Sequence, residues 1–209
     1  MSKAFRVRSC LTAALLAVLL LPPLPAAGAA PTPTAPHASG RALTAMLIVA
    51  RSAVADPNFG GSIVVVMNNL GPAPVGIIIN RPMPLSVARL FPQLKRLAKV
   101  HARVYYGGPV EFGRAWYLIR AKAAPAGAVR VCDGVYVSAE RKLLLELLGR
   151  RQPMRGLRIF LGHAGWAPGQ LQAEIEGGAW KPRRADAASI FHPEPLRPWP
   201  SAPNRANKS

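Results

Sequence analysis

Ser62-Ile-Val-Val-Val-Met67 and Val75-Gly-Ile-Ile-Ile79, joined by Asn68-Asn69-Leu70-Gly71-Pro72-Ala73-Pro74, decide the fold class. Both runs are short, rich in β-branched residues and bounded by turn formers, the pattern of strands buried on both faces rather than of a helix. Their close spacing around the Gly71-Pro72 turn predicts a hairpin. Upstream, Ala45-Met-Leu-Ile-Val-Ala50 reads the same way and is separated from the pair by Asp56-Pro57 and Gly60-Gly61. Three apolar strands within 35 residues need cover from further elements, and the rest of the chain supplies them.

Downstream, Arg81-Pro82 is expected to break the third strand. Leu85, Leu90, Leu94 and Leu97 then recur at roughly helical spacing, interrupted by Pro92, which predicts one or two short helices. Arg103 to Tyr106 and Ala115 to Ile119 read as strands around Gly107-Gly108-Pro109. Val129 to Cys132 and Val135 to Val137 flank Asp133-Gly134, a two-residue hairpin signal. Ser138 is placed as the cap of a helix over Ala139 to Leu148, with Leu143, Leu144, Leu147 and Leu148 on one face and Gly149 as a left-handed stop. Arg158 to Leu161 is a further strand. Pro168 is expected in the first turn of a helix that buries Leu171 and Ile175 and ends at Gly177-Gly178. Helices and strands are interspersed without regular βαβ alternation, so the expected class is α+β, one compact domain over 43–192.

The two ends have a different composition. Lys3, Arg6 and Arg8 precede an apolar run from Leu11 to Leu21, then Pro22-Pro23 and small residues, the layout of a secretory signal over 1–29 with cleavage after Ala29. The run is shorter than the roughly 20 apolar residues a spanning helix needs. A Pro/Ala-rich linker over 30–42 follows, and a proline-rich tail occupies 193–209. Without the leader, Cys132 is the remaining cysteine, so no internal disulfide is available, and it is expected to be a small buried hydrophobe rather than a reactive thiol.

The formal charge is +18, with 20 of the 27 basic residues arginine, and removal of the leader leaves +15. Such a balance favours anionic partners, whether nucleic acid, acidic lipid headgroups or an acidic polysaccharide, with an anionic polymer or a protein as the expected partner, and also speaks for a soluble surface. The basic residues are dispersed, with local pairs at Arg150-Arg151 and Arg183-Arg184. The chain carries no P-loop, dinucleotide glycine motif, nucleophile elbow, H-E-x-x-H helix or paired Cys-x-x-Cys. Its four histidines, His37, His101, His163 and His192, are not at metal-ligand spacing. Neither a metal nor a cofactor is expected.

Four ordered motifs remain: Asp56-Pro57-x-Phe59, Asn80-Arg81-Pro82, Gly107-Gly108-Pro109-Val110, and the run from Gly162-His163 through Gly165-Trp166, Gly169-Gln170 and Glu174-Ile175. In this order and spacing the chain resembles the YqgE/AlgH family of bacterial proteins over about Leu43 to His192. The resemblance implies a sheet curled into a bifurcated pseudo-barrel with a few short helices. Members named for AlgH are described as transcriptional regulators linked to alginate production, with no established reaction or ligand. The sequence departs from the family pattern at Ala45, Ser52, Asn69 and Ala73-Pro74, and His163 stands where an aromatic Tyr is usual. A leader sets this chain apart from cytosolic members and argues against direct DNA binding.

Two readings of the motifs stand side by side. In one they are structural: the glycines permit tight turns, Asp56 and Asn80 bond to local backbone, Trp180 packs on the core, and Pro57, Phe59, Pro109, Gly165, Gly169 and Glu174 hold loops in place. In the other, Asn80, Arg81, Gly107, Gly108, Arg114, Trp166 and Gln170 line a ligand pocket in which arginine binds an anion and Trp166 forms an apolar wall. The functional expectation is a non-enzymatic binding or regulatory protein exported to the envelope. A cytosolic regulator and an enzyme of unrecognised class are the alternatives.

Overall fold

Leu47 and Val49 point to one side of the first strand and Ile48 and Ala50 to the other, and all four are buried. This two-sided burial governs the architecture. In the computed structural model, residues 45–51, 56, 58–68 and 70–192 are described. The expected leader with its cleavage after Ala29, the linker, Ser52, Pro57, Asn69 and the tail over 193–209 lie outside the described residues.

β1 (Ala45–Ala50), β2 (Ile63–Met67) and β3 (Val75–Ile78) form an antiparallel meander, with Val65 facing Ile77 across the expected hairpin. Next come β4 (Pro82–Ser86), α1 (Val87–Leu90), β5 (Arg103–Tyr106), β6 (Val110–Arg120), β7 (Val129–Cys132) and β8 (Val135–Ser138). α2 (Arg141–Leu148), β9 (Leu157–Gly165), α3 (Gln170–Glu176), β10 (Trp180–Arg184) and α4 (Ala187–Ile190) complete the order. The ten strands join one sheet in the order β10-β1-β2-β3-β9-β6-β8-β7, and β5, carrying β4, also pairs with β9.

β9 is where the sheet divides. One of its edges holds β6 antiparallel, from Leu157 opposite Ile119 to His163 opposite Val110. Its other edge is shared: Phe160 and Leu161 pair with β5 in parallel, whereas Ala164 and Gly165 pair with β3 antiparallel. The two branches part at Gly107, whose N–H donates to Leu161 O (2.8 Å) and whose carbonyl accepts from Ile78 N (2.9 Å). A Cβ on Gly107 would lie 2.3 Å from Gly162 O, and one on Gly108, at φ +150°, 2.2 Å from the carbonyl carbon of His163. Backbone touches backbone at the fork, so side chains have no room there.

Alternation sorts the buried side chains into three clusters. Leu47, Val49, Val65, Ile77, Leu118, Val131, Val137 and Phe160, from both branches, share one core inside the curl. On the outer face of one branch, Tyr117, Ile119 and Ile159 meet α1, α2 and the 3-10 turn at Lys95–Leu97. On the outer face of the other, Ile48, Val64, Val66 and Ile78 meet Trp166, Leu171 and Trp180. The described residues thus form a single α+β domain whose sheet is curled and forked. α4 inserts Ile190 into the inner core beside Ala185, and Arg158 fastens it by donating to Ile190 O (3.1 Å) and to His192 O. The free edge at β10 carries exposed Lys181, Arg183 and Arg184 around Pro182, features that discourage pairing with another chain.

Several local expectations are corrected. β3 ends at Ile78, ahead of Arg81-Pro82, but Pro82 and Pro84 then lie in an unexpected strand, β4, an edge strand paired to β5, where prolines are tolerated. α2 begins at Arg141, and Ser138 is not its cap: the Ser138 hydroxyl donates to Gly127 O (2.7 Å) and accepts from Glu140 N (3.1 Å). Gly149 is right-handed (φ −73°), and the left-handed residue after a helix is instead Gly178, beyond α3 (φ +77°). Pro168 precedes α3 in a turn that ends at Gly169 (φ +79°). β6 starts at Val110, five residues ahead of the expected strand, and β10 was not anticipated at all.

Candidate functional site

Asp56 accepts from Asn58 N through Oδ1 (2.7 Å) and from Phe59 N and Gly60 N through its carbonyl, which closes the loop before β2. Asn80 locks that loop to the sheet: Oδ1 accepts from Ile63 N and Nδ2 donates to Gly61 O, both at 2.9 Å. Arg81 donates to Gly60 O (2.7 Å). Asn80 and Arg81 are therefore brought together, on backbone of the 58–63 turn. Pro57 lies outside the described residues.

Trp166 and Gln170 meet elsewhere, around Glu174. The Glu174 carboxylate accepts from Trp166 Nε1 (3.0 Å) and Trp180 Nε1 (2.8 Å) on one oxygen and from Gln170 Nε2 (2.8 Å) on the other. Phe59 stacks on Trp166 (centroids 6.3 Å) and meets Trp180 edge-on (5.8 Å). Gly76 permits the approach, since a Cβ there would sit 2.8 Å from the Trp166 ring. This knot pins α3 to the outer face of the β1–β3 branch.

Arg114 belongs to a third group. Between Val110 and Ala115, β6 advances five residues while β9 retreats two, from His163 to Leu161, so three residues bulge out. In the bulge Glu111 takes a left-handed conformation (φ 47°), and Val110 and Phe112 are 41% and 46% exposed. Arg114 Nη1 lies 3.3 Å from Glu111 Oε2, and its guanidinium stands 5.3 Å over the Trp116 ring. Trp116 in turn packs against His163 (5.4 Å). Burial pushes the His163 pKa down, against a smaller upward pull from Glu111, so the imidazole is neutral at neutral pH. Gly107 and Gly108 sit at the fork; Gly165 ends β9, and Pro109 connects Gly108 to β6.

The arginine pair singled out in the sequence acquires a third member. After α2, Arg150, Arg151 and Arg155 line an open cleft of about 340 Å³ together with Gln152, which accepts weakly from Arg155 (3.4 Å). No carboxylate lines it. Arg96 donates to Gly149 O (3.0 Å), at the end of α2. The turn that carries Arg155 past Gln152 is closed by Arg155 N donating to Gln152 O (3.2 Å), and Gly156 (φ +66°), packed against the backbone of Arg120, then leads the chain into β9. The spacing of Arg150, Arg151 and Arg155 was readable; their convergence was not, because it depends on this turn. His163 belongs to the fourth motif, but its meeting with Trp116 and Glu111 carried no mark in the sequence, since a three-residue bulge has no periodic signature.

These features define a class, a forked and curled α+β sheet with a basic cleft on one branch. The AlgH-like family model matches residues 46–208, and the chain belongs to that family. A UPF0301 protein of Anaeromyxobacter sp. (strain Fw109-5) is 36% identical over 170 residues, covering 76% of this chain and 85% of that protein. The solution structure of the AlgH protein from Pseudomonas aeruginosa is 29% identical with a TM-score of 0.60, covering 77% of this chain and 86% of the other. A crystal structure of a Corynebacterium diphtheriae protein shares the fold, with a TM-score of 0.55 at 23% identity over 72% of this chain and 79% of that one.

Proposed function

We propose that this AlgH-like chain is a non-enzymatic binding protein of the bacterial envelope that takes an anionic polymer in the cleft after α2. The observation that carries this reading is the convergence of Arg150, Arg151 and Arg155 on one open cleft without a carboxylate in its lining. Three guanidinium groups, each with several fixed donors, suit a chain of carboxylates better than a single small anion, because an open cleft excludes little water and depends on repeated charge contacts. The charge of +15 that remains without the leader, +18 less Lys3, Arg6 and Arg8, adds long-range attraction. The basic, apolar and small-residue layout of residues 1–29 supports export.

The test uses polygalacturonate as a polyuronate probe and neutral dextran as its control. The full chain is expected to bind the first and not the second, and Arg150→Glu/Arg151→Glu/Arg155→Glu is expected to abolish binding while leaving the melting temperature close to the parent's. Equal binding by parent and variant would overturn the assignment to this cleft. Compartment is read separately, from the intact mass of the product in fractionated cells: a periplasmic chain beginning at Ala30 agrees with export, and a full-length cytosolic chain contradicts it.

A further inference from the structure

Two buried nitrogens beside the β6 bulge have no hydrogen-bond partner: Trp116 Nε1, on β6 just past it, and His163 Nδ1, on β9 opposite its start. They belong to rings 5.4 Å apart, on adjacent strands, and what stands next to them is the exposed ion pair of Glu111 and Arg114, each side chain 52% exposed. Glu111 Oε2 lies 3.3 Å from Arg114 Nη1 and 3.8 Å from His163 Nδ1, the second distance too long for a hydrogen bond. A buried indole N–H left unpaired in a native protein calls for an explanation, and a residue outside glycine at positive φ in the neighbouring bulge calls for a second.

We propose that the bulge is a binding site for the carboxylate of a small apolar acid, and that Glu111 is the stand-in which this ligand displaces. The donors fit a carboxylate: one guanidinium for charge, one indole N–H and one imidazole N–H, the latter available in one of the two neutral tautomers. A single cation with two neutral donors is a weak match for a doubly charged phosphate. The bound protein carboxylate already occupies the edge of the same set, reaching Arg114 but not the two rings. An exposed Glu–Arg pair is worth little by itself, so exchanging it for a ligand carboxylate that reaches the rings carries a small penalty. The apolar half of the ligand is assigned to Val110 and Phe112, which rim the bulge, with Phe112 6.0 Å from the Tyr106 ring. This site shares no residue with the arginine cleft, so either can fail without the other.

The experiment follows the indole N–H resonances of the full chain during titration with phenylacetate, with phenylacetamide as the uncharged control. The Trp116 resonance, identified by its loss in Trp116→Phe, is expected to move with saturation on phenylacetate alone. The Trp166 and Trp180 resonances, both held by Glu174, stay in place. Glu111→Gln, an exposed substitution, is expected to tighten binding by roughly fivefold, the equivalent of losing a competing surface ion pair. Trp116→Phe keeps the ring and removes the donor, weakening binding by roughly tenfold when followed by calorimetry. Absence of a saturable Trp116 shift in Glu111→Gln, or equal response to the acid and its amide, overturns the proposal.

Discussion

Replacing Glu174 by alanine removes three hydrogen bonds at once and leaves two indole N–H groups, on Trp166 and Trp180, part-buried without an acceptor. An orphaned donor of this kind costs about 1–3 kcal/mol when fully buried. Since these bonds are only part-buried, the lower half of that range applies to each, and alanine's better helix propensity in α3 returns a few tenths. The expected net loss is about 3 kcal/mol, which for a chain of this length lowers Tm by roughly 6–12 °C. Glu174→Gln separates acceptor geometry from charge. Its amide oxygen has two lone pairs and can serve both indoles, while its NH2 meets Gln170 if that side chain turns its own oxygen inward. About 1 kcal/mol is expected, or roughly 2–4 °C. Thermal melting followed by tryptophan fluorescence reads both variants, and a double-mutant cycle with Trp180→Phe reports the coupling. Equal shifts for alanine and glutamine, or an alanine variant within about 1 kcal/mol of the parent, would show that the carboxylate does not hold the two indoles together.

At the fork, Gly107→Ala puts a Cβ 2.3 Å from Gly162 O and is expected to abolish soluble folded product, whereas Gly113→Ala, with nothing within 4 Å, leaves solubility and Tm near the parent's; circular dichroism of both compares them directly. Because burial lowers the His163 pKa, the unfolded state binds the more protons between the folded value and the ordinary histidine value of about 6.5, so stability rises with pH across that window. Urea midpoints for the parent and His163→Gln should therefore draw together as the pH falls below 6.5, and a constant difference would contradict a neutral buried imidazole.

Much of the fold is legible because burial on both faces of a strand writes itself into residue type as an unbroken β-branched run. β2 is buried along its whole length and reads as Ile-Val-Val-Val-Met, and the Gly71-Pro72 turn announces its hairpin. What escaped depends on neighbours rather than on pattern. β4 contains two prolines and is a strand only because β5 offers it an edge. β10 reads Trp-Lys-Pro-Arg-Arg, mostly exposed, and is held by its ladder to β1. Gly107-Gly108 reads as a tight turn, but the backbone it approaches, at Gly162 and His163, lies 55 residues further along the chain and cannot be read from spacing. The same holds for the candidate residues. Asn80 and Arg81 share a turn, Trp166 and Gln170 share Glu174, and Arg114 sits with Trp116 and His163, a division set by how the sheet forks at β9.

Binding of polygalacturonate across a salt series tests the arginine cleft most directly, because the slope of log affinity against log salt counts the ionic contacts made. Three arginines predict a slope of about −2, a loss of up to roughly twentyfold between about 50 and 200 mM salt, by analogy with single-stranded polyanions. The Arg150→Glu/Arg151→Glu/Arg155→Glu chain should show no measurable affinity at any point in the series. A parent slope near zero, or a variant that keeps the parent's slope, would contradict anion binding in this cleft.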